Sequence, residues 1–238
     1  MKKITKLTSV ALLLTSISSL AFADNWNIGA SASYGNIDGT ASDTQVNTSG
    51  RVAQDRGAKS GDADFPFASI FVEYAKTTSK DLDLIFGLDY VPFKAEIDAK
   101  SFADNSFEAR GNTVGALAGT SGTRKATLEL KDYATLYLQP TYKIGGGTAV
   151  FAKAGYIHGD VKISGSNTAT GSTINSTDTL NGYVVGLGVQ HNINKNVFVR
   201  LEGSYTDHDS VTATDSKSTK FTADSEIIAG KLSIGYSF

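Results

Sequence analysis

The feature that most constrains this chain is a two-residue alternation of apolar and polar side chains that recurs eight times. One face of every stretch carries no charged residue, and no segment of useful length shows the 3.6-residue period of a helix. The stretches cover residues 26–34, 68–74, 82–90, 134–142, 150–156, 183–190, 197–205 and 228–238. This alternation predicts eight β-strands and an all-β fold.

The second face of these strands carries all of their charged side chains. These residues are Glu73, Asp83, Asp89, Lys153, Arg200, Glu202 and Lys231. A soluble sandwich would turn the charged face to water and bury the apolar face, whereas a membrane barrel would do the reverse. Alternation alone does not distinguish the two folds.

The segments between the strands alternate in length. Long polar segments occupy residues 35–64, 94–127, 159–179 and 206–225, and short ones occupy 77–80, 145–147 and 192–196. Up-and-down outer-membrane barrels show this pattern, with short periplasmic turns and long extracellular loops. We therefore expect an eight-stranded antiparallel up-and-down transmembrane β-barrel with four long extracellular loops and three short periplasmic turns.

The aromatic residues of the uncharged face lie at the strand ends. Next to the long segments lie Tyr34, Tyr90, Tyr156, Tyr183 and Tyr205. Next to the short turns or the chain ends lie Trp26, Tyr74, Tyr142, Tyr236 and Phe238. Two aromatic belts around an aliphatic band are typical of a surface that crosses two lipid–water interfaces.

The N-terminal segment has the features of a secretory signal peptide. Lys2, Lys3 and Lys6 precede an apolar stretch over residues 7–20, which ends in a small-x-small cleavage site at 21–23. We expect residues 1–23 to be removed and residues 24–238 to form the barrel domain; a retained membrane anchor is the alternative. No long apolar run follows, so a membrane-embedded mature chain must be a closed barrel.

Charge and composition exclude several function classes. The chain carries a net charge of −2 and contains no cysteine. A nucleic-acid partner is not expected for an acidic chain, and disulfide or thiol chemistry is excluded. We expect no cofactor and no metal site.

The C-terminal residues Leu232, Ile234, Tyr236 and Phe238 resemble the terminal strand signature of Gram-negative outer-membrane proteins. The layout of the chain is similar to the small eight-stranded barrels of the OmpA, OmpX and opacity type. The resemblance implies a location in the outer membrane, among lipid and lipopolysaccharide. It also implies that the barrel-assembly machinery reads the terminal strand during biogenesis.

An eight-stranded barrel is just wide enough to be filled by side chains. Phe71, Tyr137, Phe151 and Phe198 would point inward together with the charged residues. A general pore is therefore not expected.

Strand register predicts an ion network inside the barrel. If Tyr205 faces Ile228, Glu202 lies opposite Lys231, and we hypothesise a Glu202–Lys231–Arg200 network. It would either satisfy buried charges or form a gate for small ions.

The second hairpin poses a problem of register. If Tyr74 faces Leu82, two carboxylates come side by side at Glu73 and Asp83, which is costly. Either that register is off by two residues, or Lys143 or Lys153 reaches the pair.

An enzymatic interpretation has little support in the sequence. His208 and Ser210 have a His-x-Ser spacing that resembles the outer-membrane lipid A deacylases, and Asp224 or Glu226 would then be the acid. We interpret the segment as a solvated loop, because a nucleophile and its base need fixed geometry. We expect no enzyme activity.

Three functions remain open for this barrel. The first is a structural or adhesion-like role through the extracellular loops, whose ligand the sequence does not name. The second is a narrow porin-like channel for small solutes, including lateral delivery of apolar molecules, and the third is a lipid-modifying enzyme.

Overall fold

The computed structural model describes residues 25–46, 52–92, 95–104, 122–167, 172–214, 216 and 219–238. The predicted signal peptide lies outside these residues. Within the described ranges, no helix is long and apolar enough to span a membrane. The strands are β1 (Asn25–Val46), β2 (Val52–Ser79), β3 (Leu82–Val91), β4 (Ala95–Asp104), β5 (Gly122–Gly145), β6 (Thr148–Asn167), β7 (Ser172–Asn192), β8 (Val197–Thr214) and β9 (Thr219–Ser237).

The strands close into a ring. Their order is β3-β2-β1-β9-β8-β7-β6-β5-β4, and β3 also pairs with β5. β3 pairs with the half of β5 near the short turns, and β4 pairs with its other half. The two short strands therefore share one place in the wall, and the predicted eight-stranded antiparallel barrel is confirmed.

The short turns lie at one end of the barrel. The turn between β5 and β6 contains three glycines with positive φ angles of 98°, 61° and 76°, a conformation that favours glycine over other residues. The turn between β7 and β8 is stabilised by Asn194, whose side-chain oxygen accepts hydrogen bonds from the backbone N–H groups of Asn196 and Val197 at 2.9 Å. These connections hold neighbouring strands in tight hairpins.

At the opposite end the strands continue well past the ends predicted from sequence. β1 and β2 stay paired from Tyr34 and Pro66 out to Val46 and Val52. Much of the polar segment predicted as a loop over 35–64 is thus a paired hairpin, which corrects the predicted strand ends. The strand ends were predicted from the alternation of apolar and polar residues, which stops where the strands leave the membrane. Backbone pairing continues beyond that point because it does not require apolar side chains.

Burial is inverted relative to a soluble protein. On the uncharged face Leu187 is 70% exposed and Leu136 is 64% exposed, whereas Glu73 on the other face is fully buried. The predicted orientation of the two faces is therefore confirmed. A soluble protein has no means of covering such an apolar outer surface, whereas lipid chains cover it.

Inward aromatic rings lie over glycines of the adjacent strand. The strand register places Phe71 opposite Gly29, Tyr137 opposite Gly87, Phe151 opposite Gly188 and Phe198 opposite Gly235. A side-chain carbon at any of these glycines would overlap the facing ring. The absence of a side chain is what lets each ring lie flat against the wall.

Candidate functional site

The lumen at the level of the membrane is crossed by buried ion pairs. The pair nearer the short turns joins Glu73 of β2 to Arg200 of β8, with Nη1–Oε1 and Nη2–Oε2 distances of 2.7 and 3.1 Å. Glu73 also accepts hydrogen bonds from the Tyr137 hydroxyl at 2.6 Å and the Asn27 amide at 3.1 Å. The carboxylate is therefore fully paired although it is shielded from solvent.

The Arg200 guanidinium is enclosed by three aromatic rings. Its central carbon lies 4.9 Å from the ring centroid of Phe198, 5.3 Å from that of Phe151 and 5.5 Å from that of Phe71. Gln190 accepts two further hydrogen bonds from the guanidinium, at 2.9 and 3.2 Å. Cation–π contacts and a bidentate carboxylate together compensate a charge that burial would otherwise disfavour.

A second layer of ion pairs lies further towards the long hairpins. Lys153 contacts Glu202 at 2.5 Å, and Lys231 contacts Asp89 at 2.9 Å. The Lys153 ammonium also lies 4.4 Å from the centroid of the Tyr137 ring, which links the two layers. The formal charges in each layer cancel.

A small cavity of about 50 Å³ lies against this second layer. Its polar side includes Lys231, Glu202 and Thr206, and its apolar side includes Ile157 and Val184. A space of this size holds a few water molecules.

Beyond the cavity the interior becomes apolar. Phe65, Leu130, Val161, Leu180 and Ile227 form a buried cluster contributed by five strands. We call this set the outer plug. Sequence reasoning missed it because its residues lie outside the eight predicted strands: Val161 falls in the segment predicted as a loop over 159–179, and the other four lie between a predicted loop and the neighbouring predicted strand.

The predicted Glu202 register is correct, but the predicted ion partners are not. Tyr205 lies opposite Ile228, and Glu202 lies opposite Lys231. Glu202 nevertheless contacts Lys153 of β6, and Lys231 contacts Asp89 of β3. Side chains reach across the lumen here, so the neighbour in the sheet is not the ionic partner.

The expected clash between Glu73 and Asp83 does not occur. β2 continues to Ser79, so Tyr74 pairs with Phe86 and Thr77 pairs with Asp83. The register assumed from Tyr74 and Leu82 was wrong because the turn is tighter than predicted. Asp83 lies at the rim, where Lys143 contacts it at 2.8 Å; Lys143 was one of the predicted partners.

The hypothetical His208–Ser210 arrangement does not form. His208 lies in β8 and is buried in the interior, whereas Ser210 is exposed and donates a hydrogen bond to Asp224. The barrel wall separates the two side chains, since a register shift between β8 and β9 follows His208. The prediction that His208 begins a solvated loop is also wrong.

No cluster of three or more potential metal ligands occurs in the part of the chain that the structure describes. The lumen therefore offers paired charges and aromatic rings as its chemistry.

The aromatic residues of the outer surface pair with one another at both levels. The Tyr156 and Tyr183 rings are 5.6 Å apart near the long hairpins, and the Trp26 and Tyr74 rings are 5.3 Å apart near the short turns. The terminal strand residues Leu232, Ile234, Tyr236 and Phe238 are between 44% and 60% exposed. Their side chains are on the surface that faces lipid.

A closed antiparallel barrel with an apolar exterior and paired charges inside defines a transmembrane β-barrel protein. The family model described as "Outer membrane protein beta-barrel domain" matches residues 8–225. The chain belongs to this family and is a protein of the bacterial outer membrane. It sits among the lipid and lipopolysaccharide of that membrane.

Several solved structures are similar in fold. Ail, the attachment invasion locus protein of Yersinia pestis, is 15% identical, with 89% of this chain and 98% of Ail covered and a TM-score of 0.44. OprG from Pseudomonas aeruginosa is 15% identical, with 91% and 96% covered and a TM-score of 0.49.

The outer membrane protease OmpT from Escherichia coli is 11% identical, with 89% and 97% covered and a TM-score of 0.49. Among curated proteins, none matches the chain. Sequence identities and TM-scores as low as those of Ail, OprG and OmpT say nothing about the activity of this chain.

Proposed function

We propose that the protein is a closed outer-membrane anchor that holds extended β-hairpins outside the cell for contact with other molecules. The hairpin of β1 and β2 supports this role, because it continues from the aromatic belt at Tyr34 to Val46. At 3.3 Å per residue and a tilt near 40°, this extension reaches roughly 30 Å beyond the membrane. A rigid paired hairpin loses less conformational entropy on binding than a flexible loop.

The observation that carries the proposal is the filled lumen. The caged Arg200 and its partner Glu73 occupy the membrane level, and the outer plug occupies the level of the hairpins. To cross the barrel, an ion would have to displace both the Glu73–Arg200 pair and the outer plug. A structural anchor needs such a packed interior, and a general pore needs its absence.

The proposed contact role is tested by shortening the first hairpin. Thr40 lies opposite Ser60, so residues 41–59 are replaced by an Asn-Gly turn, which suits a two-residue hairpin. We expect cells that express the full chain to attach to wells coated with an extract of extracellular matrix or with heparin, and cells with the short hairpin not to attach. Equal attachment of both strains, with both barrels folded by heat-dependent gel mobility, would contradict the role.

A narrow channel for small solutes is the second candidate, favoured by the cavity beside Lys231. Planar-bilayer recording separates the two. We expect no steady conductance from the wild type. The Glu73→Gln/Arg200→Ala variant removes only the ion pair at the membrane level, so we expect no steady conductance from it either while the outer plug is intact. A wild-type current abolished by Lys231→Met would instead support a gated channel.

Export and assembly complete the proposal. We propose that residues 1–23 are removed as a signal peptide, which mass spectrometry of the mature chain would show as an N-terminal Asp24. The exposed terminal residues Ile234, Tyr236 and Phe238 would be read by the barrel-assembly machinery. Deletion of Phe238 should reduce membrane insertion, and normal insertion would contradict that role.

A further inference from the structure

Two irregular points of the barrel wall are joined through the interior. In β5 the register shifts between Lys131 and Ala134, where Asp132 has a positive φ of 48°. In β8 the register with β9 shifts after His208. Tyr133 belongs to the first irregularity and His208 to the second, and the Tyr133 hydroxyl lies 3.1 Å from Nε2 of His208.

The hydrogen-bond contacts of His208 fit a neutral imidazole. Nδ1 lies 3.3 Å from the backbone oxygen of Ser225. The Ser225 hydroxyl lies at the same distance from Nδ1, but the carbonyl oxygen only accepts, so we assign the hydrogen to Nδ1, and Nε2 then accepts the hydrogen of the Tyr133 hydroxyl. A neutral imidazole satisfies both contacts.

The bridge lies between the cavity and the outer plug. Tyr133 lines the cavity and packs against the plug. Its ring and that of His208 meet edge to face, with centroids 6.1 Å apart. Because the bridge ties β5 to β8 across the lumen and Tyr133 packs against the outer plug, it holds the plug in place at the outer end of the interior.

Few charged groups surround the imidazole. Tyr133 faces it from β5, Ser225 from β9 and Gly182 from β7. Asp207 and Asp209 of its own strand are exposed on the outer side of the wall. The charges of the cavity lie beyond Tyr133, where Asp89 acts on the phenol.

We propose that the Tyr133–His208 bridge is an acid-sensitive latch that holds the outer end of the lumen closed at neutral pH and releases it on acidification. Protonation places a hydrogen on Nε2, which then donates to the Tyr133 oxygen, and the hydrogen of the Tyr133 hydroxyl is left without its acceptor inside an apolar region. It also places a cation where no carboxylate makes direct contact. Both effects favour an open arrangement in which the imidazolium reaches water.

Linkage gives the direction of the effect. Burial lowers the pKa of His208 below its usual value of 6.5. The open form, with a solvated imidazole, therefore binds the proton more tightly than the latched form. The stability of the latch is fully present above about pH 6.5, the ordinary pKa of the imidazole, and is lost as the pH falls towards the lower pKa of the closed form.

The test uses the absence of cysteine from the chain. Ala213 points inward in β8 beyond His208 and is 3% exposed, whereas the next residue, Thr214, is exposed. Maleimide labelling rates are measured for Ala213→Cys and Thr214→Cys at pH 7.5 and 5.0 in folded barrels in lipid vesicles. The ratio of the two rates cancels the intrinsic pH dependence of thiol labelling.

We expect this ratio to rise about tenfold on acidification. In His208→Gln, which still hydrogen-bonds but does not titrate, the ratio should change less than twofold. In Tyr133→Phe it should already be raised at pH 7.5. A ratio that does not change in the wild type, or that rises equally in His208→Gln, would overturn the latch. His158 and His191 remain in both variants, so the comparison isolates His208.

Discussion

At the scale of single residues, the interior is built by fitting large side chains against glycine. Phe198 lies over Gly235 and Phe151 lies over Gly188, and these rings in turn enclose Arg200. The inward position of each aromatic ring follows from the alternation in the sequence. Its glycine partner does not, because the partner depends on the register between two strands.

The first prediction compares two glycines of β9. Gly235→Ala places a methyl group against the Phe198 ring, whereas the space around Gly230 is open within 4 Å. We expect Gly235→Ala to lower the free energy of unfolding by about 1–3 kcal/mol, and Gly230→Ala to leave it unchanged or slightly higher. Urea titration in lipid vesicles measures both, and equal effects would contradict the packing described.

The second prediction concerns the pair of Glu73 and Arg200. Removing one member leaves a buried unpaired charge, so Glu73→Gln and Arg200→Met should each cost about 3–5 kcal/mol. The double variant should cost clearly less than the sum of the single ones. A double-mutant cycle on unfolding free energies provides the measurement, and additive costs would show that the two side chains do not interact.

At the scale of strands, the outward face beyond the aromatic belt is strongly acidic on one side. Asp207, Glu226, Asp38 and Asp62 follow one another directly across β8, β9, β1 and β2. This row was not predictable from the sequence, since its members are far apart in the chain. The same limit explains the ion partners: Arg200 and Glu73 belong to strands separated by two others, and sequence patterns do not predict contacts across a lumen.

The third prediction tests repulsion along this row. Like charges in directly opposed positions destabilise a sheet. Asp38→Asn should therefore raise the unfolding free energy at low ionic strength, by less than about 1 kcal/mol, and the gain should shrink in added salt. Asp160→Asn is the control, because Asp160 lies opposite Lys131 and its loss should bring no gain. A larger gain from the control would exclude repulsion as the cause.

At the scale of the whole molecule, the fold was predictable because lipid imposes a simple rule. A charged side chain on the outer face is costly, so the uncharged face of every strand marks the membrane. Leu187, Leu136 and Ile228 lie on that face and are exposed. The extent of the hairpins and the outer plug were not predictable, because outside the membrane water tolerates either residue type on the outer face.

The lipid-facing surface is tested most directly by quenching with brominated lipids. The chain has one tryptophan, so a Trp26→Phe background allows a new tryptophan at Leu187, which lies midway along the lipid-facing stretch 183–190 of β7 and is 70% exposed. We predict that lipids brominated deep in the acyl chain quench the fluorescence of Leu187→Trp strongly and that aqueous iodide does not. Quenching by iodide without quenching by the brominated lipids would mean that this face meets water, and the membrane orientation of the barrel would be wrong.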